Sequence, residues 1–300
     1  MRKLSFEKEH PMADEMTVKD GFLYGPWRTG VNAAASMTTS IHDDAVGKSV
    51  GMRGGVVAGT VHLDLFAPLA IRAFGPQWFE SGSVSMFYAF AILGGEELRV
   101  ILQLPPPGAV DSQVAVRAET PEGRIVMEGT VSVGNPKEKS HLRALEVRNS
   151  PQEELRILKG LNPGDILKPR QTVTVWSSDD LKTARAGSEE WLDWYEGGSP
   201  WGNAIINPSR LAWIMHVYPG FPLKAVPFYG ATEIRFMHGP AMAGEPYTVS
   251  GKTVCVGTGG KTEFYWTDSE LRKNDGRLVA TMLHMHRLMK KGSPLYPEEN

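Results

Sequence analysis

Residues 40–64 read "SIHDDAVGKSVGMRGGVVAGTVHLD", with histidine, aspartate and glycine at spacings that suit acid–base work on a carbonyl compound. His42 is followed at once by Asp43 and Asp44. An imidazole gives and takes a proton near neutral pH, and a neighbouring carboxylate can orient it. His62 and Asp64 stand at the head of an apolar run. Gly54, Gly55 and Gly59 allow close backbone approach to a ligand. Gly59 and Thr60 open the run, where unpaired N–H groups and a positive dipole end suit a developing oxyanion. Arg53 and Lys48 are the nearest cations for a phosphate. Each residue also has a plain reading. Asp43 and Asp44 form turns readily, His62 and Asp64 suit a helix start, the glycines suit a tight turn, and His42 suits a solvated loop.

The elements that must position these residues come twice. "SVSMFYAFAILGGEELRV" (83–100) matches "TEIRFMHGPAMAGEPYTV" (232–249) at an offset of 149, with Phe87 on Phe236 and Leu93 on Met242. "EGRIVMEGTVSV" (122–133) matches "DGRLVATMLHMH" (275–286) at an offset of 153. Both alternate as strands do, and the Gly-Glu and Gly-Arg pairs mark turns. Ahead of the first strand pair, 59–74 presents a wide apolar helical face, capped by Gly59-Thr60, ended by Gly75-Pro76 and kinked at Pro68. Ahead of the second, Asn207-Pro208 opens a helix that Pro219-Gly220 ends.

Each half therefore reads as α+β, an antiparallel sheet wrapped around a central apolar helix. The halves are 1–148 and 149–300, joined by a charged, proline-punctuated stretch in which "SPQEELRILKG" predicts a short helix begun at Ser150. "YGPWRTGVNA" (24–33) resembles "YEGGSPWGNA" (195–204). On that match the opening stretch is an insertion confined to the first half, which points to one active site, with the second half structural.

Composition narrows the class. The chain has 300 residues, 41% apolar, with a net charge of −2, so it has no basic footprint for nucleic acid. A single cysteine, Cys255, excludes an internal disulfide and suits a reducing compartment such as the cytoplasm. No apolar run approaches about 18 residues, so no membrane span is expected, and "MRKLSFEKEHPMADEM" lacks the apolar core of a leader. His284 and His286 share a strand face but lack a third ligand at recognisable spacing. "TGGKTEF" (258–264) suits a hairpin better than a phosphate loop. "WLDWYEGGSPW" (191–201) suits packing or an aromatic-lined pocket. No metal or cofactor is expected.

This order of features resembles the hot-dog fold in its double form, as in the MaoC-like dehydratases and (R)-specific enoyl-CoA hydratases. The features are "LNPGDILKPRQTVTV", the apolar central helices, the "GGEELRV" and "AGEPYTV" turns and the "GRIV" and "GRLV" strands. The family carries Asp-x-Asn-Pro-x-His-x-Asp before the central helix. Here His42 takes the histidine position, Asp44 the second aspartate and Ala58-Gly59 the helix start. The chain departs from the motif at Met37 and Thr39, where the family has aspartate and asparagine. The resemblance implies a hydro-lyase acting on an acyl thioester or a related small carbonyl compound, with coenzyme A or a carrier protein as the candidate carrier, His42 as acid/base with Asp43 or Asp44 as its partner, and the start of helix 59–74 as oxyanion site. Two alternatives stay open: a thioesterase using Asp64, and a non-catalytic binding protein. Association into a homo-oligomer is not set by the sequence.

Overall fold

The structure is a computed structural model that describes residues 15–297; residues 1–14, most of the stretch read for a leader, lie outside it. In the first half the strands are β1 (Thr17–Lys19), β2 (Phe22–Tyr24), β3 (Arg28–Thr29), β4 (Ser83–Tyr88), β5 (Glu97–Gln103), β6 (Ser112–Glu119) and β7 (Ile125–Val133). In the second they are β8 (Ile166–Pro169), β9 (Val173–Val175), β10 (Val217–Tyr218), β11 (Pro227–Phe236), β12 (Pro246–Thr258), β13 (Thr262–Lys273) and β14 (Leu278–Met289). All pair antiparallel in one sheet of order β1-β2-β5-β6-β7-β4-β11-β14-β13-β12-β8-β10, with β3 on β5 and β9 on β12. The halves join where β4 lies against β11, with Ala231 opposite Phe87 and Arg235 opposite Ser83. No helix among the described residues is long and apolar enough to cross a membrane.

The helices are α1 (Asp44–Ser49), α2 (Phe66–Phe74), α3 (Trp78–Ser81), α4 (Ser178–Ala184) and α5 (Pro208–Met215). α2 and α5 are the central helices, and they bury Phe66, Leu69, Phe74, Leu211, Ile214 and Met215 against the sheet. The expected continuous helix 59–74 is two pieces, a 3-10 turn at Val61–Leu65 and then α2. The reason is Pro68. It has no N–H to give the carbonyl of residue 64, so α-type bonding cannot run through this point. Pro68 lies instead in the first turn of α2, where a missing N–H costs little.

The duplication is visible in the backbone. Val56 bridges Leu93 as Ile205 bridges Met242. Val57 N–H donates to Ile92 as Ile206 N–H donates to Ala241, both at 2.8 Å. The strands themselves align one residue differently. Phe87 packs on the outer face of the sheet while Phe236 lies in the main core, so the expected match of the two would reverse the faces.

Two expectations are corrected here. "SPQEELRILKG" forms only a 3-10 turn at Gln152–Glu154. Ser150 is not its cap; its hydroxyl accepts from Thr258 N–H. Buried Glu263 takes the N–H groups of Arg156, Ile157 and Leu158, which a longer helix would have needed. The supposed insertion is also no insertion. Gly95 N–H donates to Gly30 as Gly244 N–H donates to Trp176, and Thr29 faces Glu97 as Val175 faces Pro246. The segment before the central helix is thus 31–55 in the first half and 177–204 in the second. The Pro-Trp and Gly-Asn-Ala pairs that suggested otherwise lie at opposite ends of the two segments.

Candidate functional site

The first segment is held together mostly by its own groups. His42 is half-buried, and its Nδ1 lies 2.7 Å from the Val56 carbonyl. A carbonyl only accepts, so Nδ1 carries the proton and Nε2 is an acceptor. Asp43 caps α1 through Val46 N–H, 2.9 Å. Asp44 pairs with Lys48 at 2.7 Å, and that hydrogen bond holds its carboxyl below the usual range. Neither carboxylate bonds the His42 ring. Arg53 is engaged by both oxygens of Glu96, at 2.6 and 2.7 Å, and lies on the Phe90 ring. A Cβ on Gly55 would fall 2.4 Å from the His42 carbonyl, and one on Gly54 2.7 Å from Asp44. The close approach these glycines permit is to their own loop.

The helix start is different. A Cβ on Gly59 would fall 2.9 Å from the Tyr88 ring. Thr60 is buried and makes no side-chain cap. The N–H groups of Gly59 and Thr60 donate to no group among the described residues.

Just beyond, the two halves meet in a buried polar cluster. His62 Nδ1 lies 2.6 Å from Glu189 Oε2, with side chains 3% and 0% exposed. The other oxygen of Glu189 accepts Val31 N–H at 3.2 Å. Asp64 receives four donors: Ser209 N–H (2.8 Å) on one oxygen, and on the other the Ser209 hydroxyl (2.6 Å), the Ser188 hydroxyl (2.8 Å) and the Asn207 amide (2.8 Å). Burial nonetheless pushes its pKa up to about 6, because desolvation of the charge outweighs the donors. Arg28 pairs with Glu190 at 2.9 Å. The Tyr195 hydroxyl and the Asn207 carbonyl oxygen are buried with no hydrogen-bond partner among the described residues. A narrow crevice runs beside the cluster, lined by Leu65, Pro68, Leu69, Val100, Arg28 and Glu190.

The structure thus brings together His62 and Asp64 beside the helix start, and gives Asp43, Asp44 and Arg53 other partners. The chemistry follows from the donors. Glu189 orients the His62 ring through Nδ1, and Nε2 has no partner among the described residues. Asp64 is saturated, and it ties the two helix starts together. Ser188, Glu189, Glu190 and Ser209 were not singled out in the sequence, and Tyr195 was read as part of the aromatic stretch 191–201. Asn207 was read as a cap, but its side chain makes no cap bond and serves Asp64 instead. The one available signal was the acidic pair in "GSEEW".

No family model matches the chain, and no curated protein matches it. Solved structures do. A protein of Chloroflexus aurantiacus J-10-fl described as a MaoC domain dehydratase is 10% identical, covering 89% of this chain and 93% of its own, with a TM-score of 0.58. A Mycobacterium tuberculosis protein described as a double hotdog fold is 12% identical over 88% and 93%, with a TM-score of 0.53. A MaoC-like dehydratase is 15% identical over 90% and 98%, with a TM-score of 0.51. At these identities the likeness is one of fold: the chain is a double hot-dog protein.

Proposed function

We propose that the protein is a hydro-lyase, a hydratase or dehydratase of small acyl thioesters. The observation that carries this reading is the buried His62–Glu189 pair beside the free N–H groups of Gly59 and Thr60. In the hydration direction His62 Nε2 takes a proton from water, and the water oxygen bonds to the β-carbon. The double-bond electrons move toward the thioester oxygen, which the Gly59 and Thr60 N–H groups stabilise. The imidazolium returns its proton to the α-carbon, and Glu189 steadies that cation. That two solved structures of this fold are described as dehydratases supports the reading by analogy of fold. His42, with Nδ1 tied to a backbone carbonyl and no carboxylate beside it, is assigned to holding the segment.

The test is turnover of 2-enoyl and 3-hydroxyacyl coenzyme A thioesters, following double-bond absorbance and free thiol together. Wild type should change the double bond without releasing thiol. His62→Gln should lose about 100-fold or more, and His42→Ala should stay within a few-fold of wild type. Thiol release would make the protein a thioesterase, and no turnover of any acyl thioester would remove the reading.

A further inference from the structure

Beneath the seam, the second half replaces part of an apolar core with imidazoles. His284 and His286 on β14 point inward, as their shared strand face predicts, and His216 joins them from the end of α5; all three are buried. Ring centroids are 4.6 Å apart for His216 and His284, 4.4 Å for His284 and His286, and 5.5 Å for His216 and His286. The first half supplies an internal control. At the offset of 153, His284 and His286 correspond to Val131 and Val133, both buried in the main core. The fold is therefore served by valine at these positions.

The exchange is costly as it stands. The Nε2 atoms of His216, His284 and His286 and the hydroxyl of Tyr265 are buried with no hydrogen-bond partner among the described residues. Each such group loses its hydrogen bonds to water on burial and gains none in return. The surroundings set the His284 tautomer. Tyr88 donates to the Thr232 hydroxyl at 2.6 Å, which leaves the Thr232 proton for His284 Nδ1, 2.8 Å away. With Nδ1 accepting, Nε2 of His284 is a donor. The Tyr229 hydroxyl lies 3.4 Å from His216 Nδ1, a contact that serves either tautomer of that ring. Tyr229 reaches the cluster through a register shift between Tyr229 and Ala231, which puts it on the same face as Thr232. Arg170 stands at the exposed rim, its guanidinium on the Trp213 ring and bonded to the Tyr218 hydroxyl. Among the described residues no group of three His, Cys, Asp or Glu side chains is arranged to hold a metal ion.

We propose that this cluster is a binding site for the carboxylate of a small organic ligand, taken up by the Nε2–H groups of His216 and His284, with His286 and Tyr265 beside them and Arg170 at the entrance. In their Nε2–H tautomers His216 and His284 present two donors which, backed by the Arg170 cation, select an electron-rich oxygen and favour an anion over a neutral amide. The half-exposed rings of Tyr218 and Tyr229 form the side through which a ligand enters once Arg170 swings from Tyr218. The site is independent of the His62 chemistry.

The test is titration of the full chain with succinate, with succinamide and zinc chloride in parallel, read by imidazole nitrogen NMR. Succinate should shift the His216 and His284 signals together and saturably. Arg170→Met should weaken this at least tenfold, and the double variant His284→Val, His286→Val should abolish it while melting at or above the wild-type temperature. Succinamide shifting the same signals equally, zinc binding at Nε2, or no response of wild type to succinate would overturn the proposal. So would a double variant that melts lower and still binds succinate. If that variant fails to fold, the wild-type and Arg170→Met titrations decide alone.

Discussion

Replacing Asp64 by asparagine should change stability in a way that depends on pH with an unusual sign. Asp64 is fully buried, and its pKa rises from the ordinary 3.8 to about 6. A carboxyl whose folded pKa lies above its unfolded pKa stabilises the fold in full below the unfolded value. That contribution is lost as pH rises through the folded value. The gap, at about 1.36 kcal/mol per pH unit, amounts to about 3 kcal/mol. Asparagine does not titrate, so the difference between wild type and Asp64→Asn isolates this contribution. The variant also turns an NH2 toward donors from Ser188, Asn207 and Ser209, which costs about 1–3 kcal/mol at every pH. Urea unfolding of both proteins at a series of pH values between 4 and 8 measures the difference. Wild type should hold its largest advantage near pH 4 and lose up to about 3 kcal/mol of it by pH 8. A difference that is flat, or that grows with pH, would refute the reasoning. It would mean that the four donors outweigh desolvation and that Asp64 is an ordinary buried anion.

Burial holds His216 and His284 well below the usual histidine value, and His286 at about 3. The groups facing them (Tyr88, Tyr218, Tyr229, Tyr265 and Arg170) bring no negative charge. Their contribution is complete above about pH 6.5 and is lost as pH falls toward the folded values. The double valine variant should therefore show a shallower fall in urea midpoint between pH 6.5 and 4, and an unchanged slope would count against neutral imidazoles. Glu263→Gln should cost about 2 kcal/mol, because Glu263 accepts three backbone N–H groups and the Tyr296 hydroxyl. Amide exchange should speed up at 156–158 and not in β4. Gly55→Ala should lower the melting temperature by placing a methyl against the His42 carbonyl, with roughly unchanged turnover per folded molecule, because Gly55 packs within its own loop.

What was legible in the sequence was whatever a short stretch encodes. The strands and their turns show in alternation and in Gly-Glu and Gly-Arg pairs, and their recurrence shows the duplication. The site was half legible. His62 and Asp64 stand out at the head of the apolar run, but their partners Ser188 and Glu189 lie more than 120 positions away. Nothing local joins "VHLD" to "GSEEW". The insertion was misread for a related reason. Pro-Trp and Gly-Asn-Ala are compositional likenesses, whereas equivalence is set by which backbone group faces which, and that is decided between strands.

Comparing the halves argues further than either half does alone. A duplicated chain starts with two equal cores, so a polar group in one that corresponds to an aliphatic or aromatic group in the other is not required by the fold. Thr232, His284 and His286 meet that condition through Val84, Val131 and Val133, which keep the apolar choice. Asp64 meets it through Trp213, which lies 149 positions on and stacks with Trp176 instead of crossing the seam. The two departures fall in different halves, one at the helix start of the first and one beneath the helix of the second. Tyr88 links their surroundings, with its ring against Gly59 and its hydroxyl on Thr232. Each departure leaves buried polar atoms unpaired, at Tyr195 and Asn207 in one and at three imidazoles in the other. On the two proposals above, each set belongs to a site that a ligand completes.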